Sequence, residues 1–299
     1  MPHVRQRKKT MAPTINRTAP AIDDADTALN VINAYDKIIL WVDHPELPIE
    51  EELLKEHCTE LDVYPKLMRH NSRWKLKIEV FQPTSEFIRV LAAALGSNIS
   101  AIVTYVEIAC DFPAQSRKQA KQWRKRFLGA AQMKYQRQHV MRFKTTWYFG
   151  RRTDGKQRRE NVLAVYADKP SKLSNAQPDA GLPPCLHIEW RALGSANLEK
   201  FGIGSFSDLA VFDHQLFWEE YINIFMLDKP TELGRHLADD CGDEVSTKPA
   251  ALRKRSRAWI KRHTLKGNFV MHNALLANSG FSKRLDPVPF WEWAKATFR

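Results

Sequence analysis

Cysteine is scarce in this chain: Cys58, Cys110, Cys185 and Cys241 are its only four, scattered and without a Cys-x-x-Cys pair. That excludes a disulfide framework and a thiolate zinc site, and reduced thiols are expected. Also missing is any run approaching the roughly 20 apolar residues of a membrane span, and the opening MPHVRQRKKT has no apolar secretion segment. Both absences predict a cytoplasmic protein with no membrane partner. No internal repeat is visible. What is present suffices for a packed interior: 299 residues, 43% hydrophobic, with 9 Trp and 15 Phe, enough for one large domain or two ordinary ones.

Acids are absent from two long stretches. Phe112 to Thr153 holds twelve Lys or Arg and no Asp or Glu; Lys248 to Arg284 holds ten more on the same terms. These two runs carry 22 of the 46 basic residues in a chain of net charge +12, so the positive charge is patterned, and a polyanionic partner is implied. Within Ser116 to Tyr135, Ala120, Trp123, Phe127 and Ala130 recur at helical spacing after a possible Ser116 N-cap. Such a helix packs its aromatic stripe inward and turns Arg117, Lys118, Lys121, Arg124, Lys125 and Arg126 outward toward DNA phosphates. Arg151, Arg152, Arg253, Lys254 and Arg255 are further candidate DNA contacts. Residues 1–35 read as a mobile basic arm followed by an acidic segment.

Strands are expected over Lys37–Asp43, Leu61–Arg69, Trp74–Phe81, Ile102–Phe112, Phe143–Phe149, Val162–Asp168 and Leu186–Arg191. Helices are expected over Ile49–Cys58, Ser85–Leu95 and Lys118–Lys134, with more after Ala196. The order predicts an α+β fold: a central, largely antiparallel sheet with helices packed on it and a helical C-terminal region.

Alternation sorts each strand into two faces. Tyr105, Glu107 and Asp111 share one face; so do His187, Glu189 and Arg191, and likewise Tyr166 and Asp168, while Tyr148 lies opposite Trp147 and Phe149. One such face is ordinarily just the wet side of an antiparallel sheet. Carboxylates, an imidazole and phenols together are also the parts of metal-assisted phosphodiester transfer, with Mg2+ or Mn2+ as the hard cation. Residues two apart on a strand are roughly 7 Å apart, so His187 and Glu189 can share an ion. Glu107 and Asp111, roughly 13 Å apart, are expected to give one direct ligand between them.

The ordered motifs TYVEIACDF (104–112), TWYFGRR (146–152), VYADK (165–169) and HIEWRAL (187–193) resemble the trans-acting rolling-circle replication initiators of plasmids, filamentous phages and integrative elements. The resemblance covers about residues 37–230 and implies an HUH-like fold. It also implies a catalytic domain over 36–240, a basic C-terminal extension over 241–299, and nicking of one strand at an origin through a 5′-phosphotyrosyl link. On the matching positions Tyr166 is the candidate nucleophile and Tyr148 the second. Lys169 lies one residue further from Tyr166 than the family pattern has it. Glu107 and Asp111 occupy the acidic strand motif, and His187 and Glu189 the second, with His where the family usually has Arg. Asp168, Glu107 or the ion would assist the phenol. The implied partners are origin DNA, single-stranded or cruciform, and a host helicase. A DNA-binding protein without chemistry, such as a repressor of a mobile element, is the alternative.

Overall fold

The computed structural model describes residues 29–65, 73–134, 140–149, 160–167, 169–171, 184–225, 234–235, 248–263 and 287–298. Its frame is an eight-stranded sheet in the order β2-β3-β1-β4-β9-β8-β7-β6. The strands are β1 Ile32–Val42, β2 Glu60–Pro65, β3 Leu76–Phe81, β4 Ala101–Pro113, β6 Val140–Phe143, β7 Thr146–Phe149, β8 Asn161–Tyr166 and β9 Cys185–Leu193. Every pairing in it is antiparallel, as the α+β reading expected. A short second ladder joins β5 Ala131–Met133 to β10 Ile222–Ile224.

Across the central strands β4 and β9 one sheet face is apolar. Val106, Ile108, Cys110 and Phe112 of β4 meet Leu186, Ile188, Trp190 and Ala192 of β9, all fully buried or nearly so. Helices cover this face because their own apolar stripes need it. Helix α2 (Ser85–Leu95) starts where Thr84 accepts a hydrogen bond from the Phe87 amide at 3.1 Å, and it buries Phe87, Ile88, Leu91 and Leu95. Helix α3 (Arg117–Ala130) is capped by Ser116, whose hydroxyl accepts from the Gln119 amide at 3.2 Å. It buries Ala120, Trp123, Phe127, Leu128 and Ala130.

Four elements differ from expectation, the first being the helix expected over Ile49–Cys58, which spans only Glu51–Lys55 (α1). The helix expected to run to Lys134 ends at Ala130, because Ala131–Met133 are drawn into the β10 ladder. Phe143–Phe149, expected as one strand, is part of a hairpin. Phe143 pairs with Thr146, leaving a two-residue turn with Lys144 in the left-handed region (φ 53). β1 begins at Ile32, inside the expected N-terminal segment; residues 1–28 of that segment lie outside the described residues.

The C-terminal end is also part of this core. Phe298 packs on Phe112 (4.6 Å between centroids) and on Trp123 (5.2 Å), and Trp293 packs on Phe127 (6.0 Å). So the expected 240/241 boundary does not separate two hydrophobic interiors. The helix Phe290–Thr297 is held by helix α5 (His214–Tyr221), whose Glu219 carboxylate accepts from the Phe290 and Trp291 amides at 2.8 and 3.0 Å. A carboxylate there satisfies two orphan donors and opposes the positive end of the helix dipole. Glu219→Ala is expected to cost about 1–2 kcal/mol, read as a lower urea midpoint, with faster proteolysis after residue 287; Glu219→Gln is expected to recover part of the loss.

Candidate active site

The other sheet face carries the ionisable groups, and register brings them into rows. Asp111, His187 and Tyr166 are cross-strand neighbours on β4, β9 and β8. The next row holds Ala109, Glu189, Ala164 and Tyr148; the one after it holds Lys37, Glu107, Arg191 and Val162. Strands are about 4.8 Å apart, so neighbours within a row touch, and successive rows on this face lie roughly 7 Å apart.

His187 is the centre. It is 2% exposed, with Asp111 at 0% and Glu189 at 1%. Its Nδ1 is hydrogen-bonded to Asp111 Oδ1, and its Nε2 faces Glu189 Oε2 at 3.2 Å. Burial opposes the imidazolium, but the adjacent Asp111 and Glu189 carboxylates outweigh it and push the His187 pKa up to about 10. Glu189 is itself held low: His187 and Arg191 favour its charged form against burial. Arg191 Nε donates to Glu189 Oε1 and lies 3.5 Å from Glu107 Oε1.

A third carboxylate completes the cluster. Asp36, His187 and Glu189 each offer a ligand atom within 4.8 Å of the others. Asp36 sits on a β-bulge: Tyr35 pairs with Ile108 and Lys37 with Glu107, so Asp36 is the extra residue between two consecutive partners. Burial and then the charge of Glu189 raise its pKa. Gln82 holds it there. The Gln82 side-chain amide donates to Asp36 Oδ1 and, at 3.3 Å, to Asp36 O, while the Gln82 backbone N–H donates to Asp36 O at 3.0 Å. Gln82 itself is buried with φ 42, a left-handed conformation uncommon outside glycine.

The donor set suits a divalent cation. The two carboxylates fit Mg2+ or Mn2+, and the imidazole nitrogen favours a transition ion over Mg2+. Asp36, Glu189 and His187 Nε2 face one another, whereas Asp111 lies behind the ring on Nδ1, with its Oδ2 buried and without a partner among the described residues. Asp111 is placed to orient the histidine, the usual arrangement around a metal-bound imidazole.

Tyr166 stacks on His187 with ring centroids 4.2 Å apart and an interplanar angle of 25°. Burial, then the charges of Glu189, Asp36 and Asp111, raise its phenol pKa. Tyr148 lies on the same face, in the Glu189 row, with the Arg191 guanidinium 6.0 Å from its ring centroid. Glu107 is two rows from His187. It accepts from Tyr105 Oη, and burial together with Glu189 pushes its pKa up to about 8. The geometry thus joins Asp111, His187, Glu189 and Tyr166, and sets Glu107 beside Arg191. Lys169 is exposed, its carbonyl accepting from the Cys185 amide at 3.1 Å, and Asp168 lies outside the described residues.

Asp36 is the residue that sequence reading missed. It precedes the expected strand Lys37–Asp43, and strict alternation would turn it away from Lys37 and the site. Only the bulge reverses that. Gln82 gave no signal at all, since a lone Gln at a strand end is ordinary.

The basic candidates lie elsewhere. Arg117, Lys118, Lys121 and Lys125 are exposed on α3. Arg126 Nη1 donates to Thr297 O at 3.0 Å, and Arg124 Nη1 to Thr145 O at 3.2 Å. Helix α3 packs on the apolar face, as the Phe127–Phe149 contact at 6.4 Å shows, and so across the sheet from His187. Arg253 and Lys254 are exposed and Arg255 half-buried on the helix Pro249–His263; Arg151 and Arg152 lie outside the described residues.

No protein-family model matches the chain, and no curated protein matches it. Among solved structures it is similar to a rolling circle replication initiator protein from Geobacillus stearothermophilus, at 9% identity and a TM-score of 0.36. The similarity covers 67% of this chain and 88% of that one.

Proposed function

We propose that the chain is a metal-assisted DNA nickase and strand transferase that initiates rolling-circle replication, with Tyr166 as nucleophile. One observation carries the reading: a buried imidazole backed by one carboxylate, facing two more, with a phenol stacked on its ring. A structural histidine needs one partner, and the half-buried Asp36 adds negative charge beside Glu189, whose Arg191 partner lies on its other oxygen, so a bound cation would offset it. Asp36, Glu189 and His187 Nε2 would hold Mg2+ or Mn2+. When bound, the ion supplies Lewis-acid stabilisation of charge on the scissile phosphate.

The chain's own groups divide the remaining work. His187 would hold the ion through a deprotonated Nε2, while its Nδ1–H donates to Asp111, which fixes the ring's orientation. Tyr166 presents a phenol whose ionisation the surrounding carboxylates oppose, so it becomes reactive only once their charge is neutralised. Its oxygen bonds to phosphorus as the bond to the 3′ oxygen breaks, the phenol proton passing by way of solvent to the departing 3′ oxygen, and the phosphodiester energy is kept in a reversible link. Tyr148 is the alternative nucleophile, with the Arg191 guanidinium 6.0 Å from its ring centroid.

The decisive experiment incubates the protein with supercoiled DNA bearing its element's origin, with and without Mg2+ or Mn2+, and resolves the products on a denaturing gel. A metal-dependent covalent adduct is expected; binding without an adduct would leave a repressor-like protein. Gln82→Ala tests the Asp36 ligand separately. It is expected to weaken Mn2+ binding by about 10- to 100-fold in calorimetric titration, as loss of an orienting partner does, with the fold unchanged by circular dichroism.

A further inference from the structure

The acid-free segment 112–153 does more than place cations on α3. We propose that the DNA strand reaching the catalytic face runs around the β6 edge of the sheet, held by Arg142 and Lys144 of the β6–β7 hairpin between α3 and the site. This rests on the nicking function proposed above and assigns the path that serves it.

The geometry of the segment supplies the path. β6 is the terminal strand of the sheet, and α3 lies on one side of the sheet while Tyr148, Tyr166 and His187 lie on the other. Arg142 pairs with Trp147 and then Val165, which puts it on the α3 side; Phe143 pairs with Thr146, on the Tyr148 side. The hairpin tip therefore spans both faces. It is tied to α3 by Arg124 Nη1 donating to Thr145 O at 3.2 Å, and its turn is closed by Arg142 Nε donating to Lys144 O at 3.0 Å. Residues 142–145 are all exposed.

Charge gives the second observation. Ion pairs among the described residues engage Lys37, Lys55, Arg73, Lys77, Arg89, Arg191 and Lys200 with carboxylates. Among the described residues none engages Arg117, Lys118, Lys121, Lys125, Arg142 or Lys144. Six exposed cations, on α3 and on the hairpin tied to it, suit the phosphates of one DNA strand. The plain alternative is that charges on an edge strand only block edge-to-edge aggregation; that role needs no continuity with α3 or with the site.

The test measures binding of an oligodeoxythymidine by fluorescence anisotropy across a salt series in excess chelator, where no nicking occurs. The Arg142→Ala, Lys144→Ala double variant is expected to bind roughly 10- to 30-fold more weakly at about 0.1 M salt, with the log–log salt slope reduced by about 1.4, or 0.7 per lost phosphate contact. Lys55→Ala, Lys200→Ala removes the same charge away from the path and is expected to leave the slope unchanged. An unchanged slope in the hairpin variant, or an equal fall in both, overturns the path. Because binding is read without chemistry, a wild-type protein that binds but forms no adduct defeats the nickase reading and not this one.

Discussion

Tyr166→Phe is expected to abolish the covalent protein–DNA adduct while leaving Mn2+ affinity and oligonucleotide binding at wild-type levels. Phenylalanine keeps the ring that stacks on His187 at 4.2 Å, so the metal cluster keeps its neighbour, and only the hydroxyl is lost. Nothing else in that row can replace it, since the partners of Tyr166 across β9 and β4 are His187 and Asp111, which are committed to each other. The measurement is adduct yield on a denaturing gel, with peptide mapping of the wild-type adduct. An adduct mapping to Tyr148 would transfer the nucleophile to the Glu189 row and leave the metal chemistry in place. Adducts on neither tyrosine would end the enzyme reading.

Glu189→Gln is expected to lower nicking by roughly 100- to 1,000-fold, the several kcal/mol that a cation's charge stabilisation supplies. DNA affinity is expected to hold, because the exposed cations of α3 lie across the sheet. The amide preserves volume and can still accept from Arg191, so the substitution removes charge more than packing. Asp111→Asn is the informative partner. As an orienting group its loss costs about 10- to 100-fold in Mn2+ affinity, and activity should return at saturating Mn2+, whereas Glu189→Gln should stay impaired. Equal rescue of both would show that Glu189 does not ligate. Full wild-type nicking in excess chelator would remove the metal from the mechanism altogether.

How much of this was legible beforehand follows from the range of each signal. Alternation is local, so it sorted Glu107, Asp111, His187, Glu189, Tyr148 and Tyr166 onto face positions that the register then brought to one side. Helical spacing is local too: Ser85–Leu95 has the bounds expected, and the Trp123–Phe127 stripe is buried. Both patterns depend only on neighbours within a few residues.

What lay beyond the sequence is whatever depends on pairing across distance. Register decided that Asp111 meets His187 while Glu107 meets Arg191, so two acids on one strand received different surroundings. A bulge, which is a mismatch between two strands and not a property of either, turned Asp36 toward His187, and Gln82 from β3's end fixed it. The burial of Phe290, Trp293 and Phe298 beside Phe112 and Trp123 likewise joins segments over 170 residues apart in the chain. The order of residues by itself determined two acid-free basic runs and, through its alternating and helical periodicities, a mixed α+β fold. Only the tertiary structure placed the exposed cations of α3 on one side of the sheet and the carboxylates on the other, because which face a helix covers is settled by where its apolar stripe finds a partner.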